Sequence, residues 1–132
     1  MSEQLHWDPG VRVGVEEIDL EHQTFVVLIN QLENYQQNPE MAERVLQALA
    51  KYVAFHFQSE ENMMFAATYP GLEAHRSIHL SLLEQLNNVL LKLRGGESSY
   101  AETLEFLRQW YLNHTMKEDM KFAGFLKTAG NS

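Results

Sequence analysis

Residues 70–96 read PGLEAHRSIHLSLLEQLNNVLLKLRGG, and this stretch decides the fold. Ile78, Leu82, Leu83, Leu86, Val89, Leu90 and Leu93 recur at three- and four-residue steps, which is the stripe of an amphipathic helix. Pro70-Gly71 opens the stretch, and Gly95-Gly96 stops it where a helix C-terminus favours glycine. The same helix carries His75 and His79, four residues apart and so on one face. Imidazoles near a core stripe cost stability unless something satisfies them.

The reading extends outward from this helix over 72–94. A first helix is expected from a cap at Asp19 to about Gln37, with Leu20, Phe25, Leu28, Ile29 and Leu32 as apolar positions. Asn38-Pro39 makes a turn with proline at the first helical position. A second helix over about 40–67 carries Val45, Leu49, Tyr52, Val53, Phe57 and Met64, and Tyr69-Pro70-Gly71 ends it. Ser99 with Glu102 fits a capping box. A fourth helix then runs to about His114 or a few residues beyond, with Leu104, Leu107, Trp110 and Tyr111. Four amphipathic helices with short connections predict an all-α, antiparallel up-down-up-down four-helix bundle. Residues 1–17 lack periodicity and read as an N-terminal arm with Trp7 as its peg, and 124–132 read as a frayed tail. Residues 1–132 are expected to form a single domain.

Composition excludes several function classes. The net charge of −8 with dispersed lysine and arginine leaves neither a nucleic-acid stripe nor a polybasic membrane patch. With no cysteine, disulfides, thiolate catalysis and cysteine-held iron–sulfur clusters are out. The N-terminus MSEQLHWDPG has no signal-peptide pattern, and no run of about 18 apolar residues could cross a bilayer. A cytoplasmic location is the default expectation.

The remaining signal is a constellation of donors. His22, His56 with Glu60, His75 with His79, and His114 with Asp119 fall on four helices. Every histidine except His6 takes part, and Asp119 is one of three aspartates. Each pair alone is a weak motif, but together they point to a two-metal site. His114 and Asp119 are five apart, which puts them about 140° apart on an ideal helix. A π-bulge, tightened turn or helix end is therefore expected between Thr115 and Asp119. Imidazoles and carboxylates without thiolate suit iron, and would also suit zinc, manganese or copper. Glu61 points about 100° away from Glu60 and reads as solvated. Glu16, Glu17 and Glu21 read as complements to the helix dipole. His6 reads as a non-ligand.

The segments WDPGVRVGVEEIDLEH, HFQSEENMM, YPGLEAHRSIH and WYLNHTMKED resemble the hemerythrins, most of all the single-domain bacterial members. The resemblance runs from Trp7 to about Asp119. It implies that His75, His79 and His114 hold one iron and His22 and His56 the other. Glu60 and Asp119 would bridge the two, together with an oxo or hydroxo group. One position then stays open on the iron held by His22 and His56. The resemblance implies that dioxygen binds there reversibly as a peroxide-type adduct, for oxygen storage, delivery or sensing. Azide-like anions and nitric oxide are further candidate ligands, and a sensing role would need a protein client. Ile29, Phe57, Met64 and Trp110 are the expected dry wall of the ligand pocket. Tyr111 and Thr115 stand where the family commonly has leucine and isoleucine. Their hydroxyls raise the alternative of a di-iron peroxidase or oxidase scavenging peroxide, oxygen or nitric oxide.

Overall fold

The computed structural model describes residues 13–130, without the side chains of residues 115, 116, 129 and 130. The arm residues 1–12, with His6 and Trp7, lie outside it. Four long helices follow in order: α1 (Glu16–Asn34), α2 (Pro39–Ala66), α3 (Leu72–Arg94) and α4 (Tyr100–His114). They pack as a ring, α1 on α2, α2 on α3, α3 on α4 and α4 back on α1. This is the all-α four-helix bundle that the periodicity predicts.

The helix ends show what sets each boundary. Asn38 Oδ1 accepts from the Met41 amide at 3.2 Å, and Pro39 follows in the first turn. Ser99 and Glu102 form the expected reciprocal cap, with Glu102 N donating to Ser99 Oγ at 3.1 Å. Gly96 adopts φ +76°, and the Glu97 amide reaches back to Lys92 O at 2.8 Å, so α3 closes on a left-handed glycine. At the end of α2 the left-handed position is Thr68, at φ 55°. The Tyr69 amide then caps Met64 O at 2.9 Å, so the helix ends just before the Tyr69-Pro70-Gly71 signal.

Three expectations change. Asp19 does not cap α1, which starts at Glu16 after Val15. Its buried carboxylate reaches back instead, accepting from the amides of Val13 at 2.8 Å and Gly14 at 3.2 Å. Leu20 is 55% exposed while Ile18 is fully buried, because the inward stripe of α1 runs through Ile18, His22, Phe25, Val26, Ile29 and Leu32. Residues 124–130 are helical. They belong to α5 (Met120–Gly130), which continues α4 through a π-helical turn at Thr115–Asp119. Phe122 is fully buried, and Phe122 and Phe125 pack on the Tyr69 ring at 5.1 Å each, which anchors that segment.

The core divides into two apolar clusters. The larger holds Phe25, Ile29, Leu32, Leu49, Val53, Leu86, Leu104 and Trp110 among others. The smaller holds Val13, Ile18, Met64 and Phe122. On α1, His22 lies between Ile18 and Phe25. On α2, His56 and Glu60 lie between Val53 and Met64. The candidate ligands thus form a polar layer between two apolar blocks, which positions them away from water.

Candidate metal centre

All seven donor residues are buried. α1 supplies His22, α2 His56 and Glu60, α3 His75 and His79, and α4 His114. Asp119 closes the π-helical turn. In a π turn the bond runs from residue i to i+5, so residues five apart stack on one face. That local geometry returns Asp119 to the side of His114, with Oδ1 3.1 Å from His114 Nε2.

The two carboxylates each address two groups of imidazoles. Glu60 Oε1 is 2.9 Å from His75 Nε2, 3.1 Å from His79 Nε2 and 3.8 Å from His114 Nε2. Glu60 Oε2 is 3.0 Å from His56 Nε2 and 4.0 Å from His22 Nε2. Asp119 Oδ2 is 3.0 Å from His22 Nε2, while its Oδ1 faces His114 and, at 3.6 Å, His75. The donors fall into two compact sets, one of Glu60, His75, His79 and His114, the other of His22, His56, Glu60 and Asp119. His22 Nε2, His114 Nε2, Glu60 Oε2 and both Asp119 oxygens make no hydrogen bond among the described residues, despite this proximity. They approach one another closely but out of line, as atoms do when their lone pairs aim at a shared point. Leaving so many buried polar atoms unpaired costs several kcal/mol in total, at roughly 1–3 kcal/mol each, unless cations take the lone pairs. The residues therefore fit a metal pair.

Protons partly fill that role when no metal is bound. Burial alone would strip His56, but Glu21, Glu60 and Asp119 outweigh it and push its pKa up to about 9. His114 is likewise carried past the effect of burial, to about 10, by Asp119 and Glu60. Against its own burial, the Glu60 carboxyl is held well below the usual range by His114, His56, His75 and His79.

Two carboxylates, Glu61, which reads as solvated, and Glu21, which reads as a complement to the helix dipole, contact the donor histidines. Glu21 accepts from His56 Nδ1 at 2.6 Å and from Ser59 Oγ at 2.7 Å. The Glu21 backbone carbonyl takes the Tyr52 hydroxyl at 2.8 Å. Glu61 meets His79 Nδ1 at 2.9 Å and Arg76 Nε at 3.2 Å. Each fixes a ring so that Nε2 points inward. Both pairings join different helices, so no short-range motif reveals them.

Beside His22 and His56 lies a small void of about 20 Å³, roughly the room for one water-sized molecule. Its walls include Phe57, Trp110 and Tyr111, and also Phe25 and Val53. Ile29 and Met64 do not line it: Ile29 sits deeper in the large cluster and Met64 in the small one. Phe25 and Val53 are each three residues from a candidate ligand histidine, so helical spacing from His22 and His56 could have found them. Phe57 stacks on the His79 ring at 3.9 Å. Tyr111 stands edge-on to His22 at 5.5 Å, and its buried hydroxyl has no partner among the described residues. Burial, with Asp119 and Asp19 nearby, raises the pKa of that phenol, so it remains a proton donor. The Thr115 side chain lies outside the described residues.

A sequence profile described as the hemerythrin HHE cation binding domain matches residues 13–126. The chain belongs to the hemerythrin family. A bacteriohemerythrin of Pseudomonas aeruginosa is 30% identical over 130 residues, covering 97% of this chain and 83% of that protein. A myohemerythrin of Theromyzon tessulatum is 30% identical over 126 residues, covering 96% and 97%. Among solved structures, a wild-type hemerythrin superposes with a TM-score of 0.83 at 28% identity, covering 92% of this chain and 97% of that one. The family's description as a cation binding domain and the two donor sets, each able to hold a metal ion, agree.

Proposed function

We propose that this chain is a non-haem di-iron protein that binds dioxygen reversibly, for storage, delivery or sensing, and that the hemerythrin-like domain spans residues 1–132. In this reading His75, His79 and His114 hold one iron and His22 and His56 the other. Glu60 and Asp119 bridge them, with an oxo or hydroxo group between. An iron pair so held supplies the electrons that bind dioxygen and takes them back on release. The supporting observation is the pairing of three imidazoles on one side of Glu60 and Asp119 with two on the other. The two-imidazole side has one fewer protein donor, and the void lies against it. Phe25, Val53, Phe57 and Trp110 keep water from that position, which favours release of an intact gas over loss of a protonated product. Among the described residues no helix is long and apolar enough to cross a membrane. Metal analysis combined with an anaerobic-to-air optical titration tests the proposal. Two irons per chain and a reversible oxygen-dependent band support it. Zinc at stoichiometric levels with no response to air overturns it.

One observation favours a second reading, as a di-iron peroxidase or oxidase. Tyr111 places an unpartnered, protonated hydroxyl at the void, where it can donate to a bound ligand. Azide-like anions or nitric oxide could use the same donor. Replacing Tyr111 with leucine decides between the readings. An oxygenated form that lasts longer in Tyr111→Leu, with lower peroxide turnover, supports the enzyme. An unchanged lifetime removes Tyr111 from the chemistry.

A further inference from the structure

Between α3 and α4 the surface carries a groove of about 390 Å³. Ile78 and Leu82 from α3 and Phe106 from α4 give it apolar sides, and Gln85 and Gln109 stand exposed at its rim. Trp110 and His114 also line it, and the same two residues line the void beside His22 and His56. A single layer of side chains separates the groove from the ligand position.

Residual exposure along the lining of the void is uneven. His22, Val53, Phe57, Tyr111 and Phe25 range from 1% to 5% exposed, whereas Trp110 and His114 are 8% and His56 is 7%. The His56 ring is tied by its hydrogen bond to Glu21, which Ser59 Oγ holds in turn. At Trp110 nothing comparable exists among the described residues. A buried indole N–H ordinarily finds an acceptor. Trp110 Nε1 has none among the described residues, so the ring is held only by packing, at 5.5 Å from Phe25 and 5.8 Å from Phe57. An indole with no hydrogen bond to break can change rotamer at the cost of packing alone.

We propose that this groove is the passage by which a small apolar gas reaches the void, and that the Trp110 indole is its gate. The apolar sides favour a neutral diatomic over hydrated ions. The purpose of the passage rests on the oxygen-binding reading, but its existence does not.

The test fills the groove from its rim with Gln85→Phe and Gln109→Phe, both at exposed helical positions away from the donors. In zinc-loaded protein carrying Trp7→Phe, Trp110 is the sole tryptophan. Quenching of its fluorescence by dissolved oxygen then reports gas access without iron chemistry. The fillers are expected to remove most of that quenching. In iron-loaded protein they should slow oxygen association and dissociation together, by about tenfold, or roughly 1.4 kcal/mol on the crossing barrier, leaving the equilibrium constant unchanged. Trp110→Phe should accelerate both rates. Unchanged quenching and rates in the filled variants overturn the passage, as does a shift in oxygen affinity without a matched change in the two rates. If quenching falls but the iron-loaded protein never binds oxygen, gas entry into the groove stands, while the crossing to the void and the oxygen-binding reading both fail.

Discussion

Removing the Glu21 carboxylate should weaken one half of the metal centre and spare the other. Glu21 touches no proposed metal position. It holds His56 by a 2.6 Å contact to Nδ1, with its side chain only 17% exposed, and Ser59 Oγ fixes its other oxygen. A hydrogen bond to a charged group in such a setting contributes about 1.5–3 kcal/mol. Loss of that contribution in the metal-bound state corresponds to roughly 10–100-fold in affinity, the size seen when a partner behind a ligand histidine is removed. Glu21→Ala removes the contact entirely. Glu21→Gln keeps an acceptor but not the charge, and should fall between. Stepwise cobalt titration by calorimetry and d–d absorption resolves the two affinities. The weaker half in Glu21→Ala should be the one that also disappears in His22→Ala, and the half lost in His75→Ala should bind normally. Glu61→Ala should show the mirror-image pattern, because Glu61 holds His79. Equal weakening of both halves, or a change below about twofold (under roughly 0.4 kcal/mol), would show that ring orientation by Glu21 does not govern binding.

Other expectations follow from the same geometry. In metal-free protein the raised pKa values of His56 and His114, about 9 and about 10, contribute stability that is complete below the ordinary value of 6.5. It is lost as pH rises through the raised values, so the metal-free Tm should fall between pH 6.5 and 10 while metal affinity climbs as the competing protons leave. A flat Tm across that window contradicts this. Thr68→Gly should stabilise by up to about 1 kcal/mol, since a β-branched residue at φ 55° stores backbone strain that glycine does not; chemical denaturation measures it. Asp19→Ala leaves the amides of Val13 and Gly14 without their acceptor and should cost about 1–3 kcal/mol, with faster hydrogen exchange at those two amides.

The bundle was legible because each helix carries its own period and its own stop. Gly95-Gly96, Asn38-Pro39 and Ser99 with Glu102 act within a few residues, so a linear reading captures them. The convergence of the seven donors was legible for a related reason: residues four apart share a face, and the five-residue step from His114 to Asp119 demands a distorted turn. What escaped the reading depends on how one helix sits against another. Glu21 and Glu61 lie beside ligands in sequence yet serve histidines on other helices, 35 and 18 residues away. Nothing local says that α1 and α2 pack in the register that brings Glu21 over His56. The helix over 120–130 was missed because Gly124 and the Thr128-Ala129-Gly130 ending weaken local propensity. Its stability comes instead from Phe122 and Phe125 against Tyr69, a contact between distant segments.

The two orienting carboxylates are not equivalent, and the difference bears on why the void lies where it does. Glu61 shares its charge with the Arg76 guanidinium, which also contacts Glu73. Among the described residues the Glu21 carboxylate meets only the His56 ring and the neutral Ser59 hydroxyl. A carboxylate without a cation beside it draws more strongly on the imidazole proton and makes that ring the better donor to a metal. In the proposed arrangement His56 belongs to the two-imidazole half, so the half with fewer protein donors would have the stronger support behind one of them. Arg76 is 46% exposed, and solvent screens much of its influence on Glu61. Neutralising Arg76 with glutamine should therefore move the His79 half only slightly toward the behaviour of the His56 half. An effect as large as that of Glu21→Ala would mean that the surface cation, rather than burial and hydrogen bonding, sets the asymmetry.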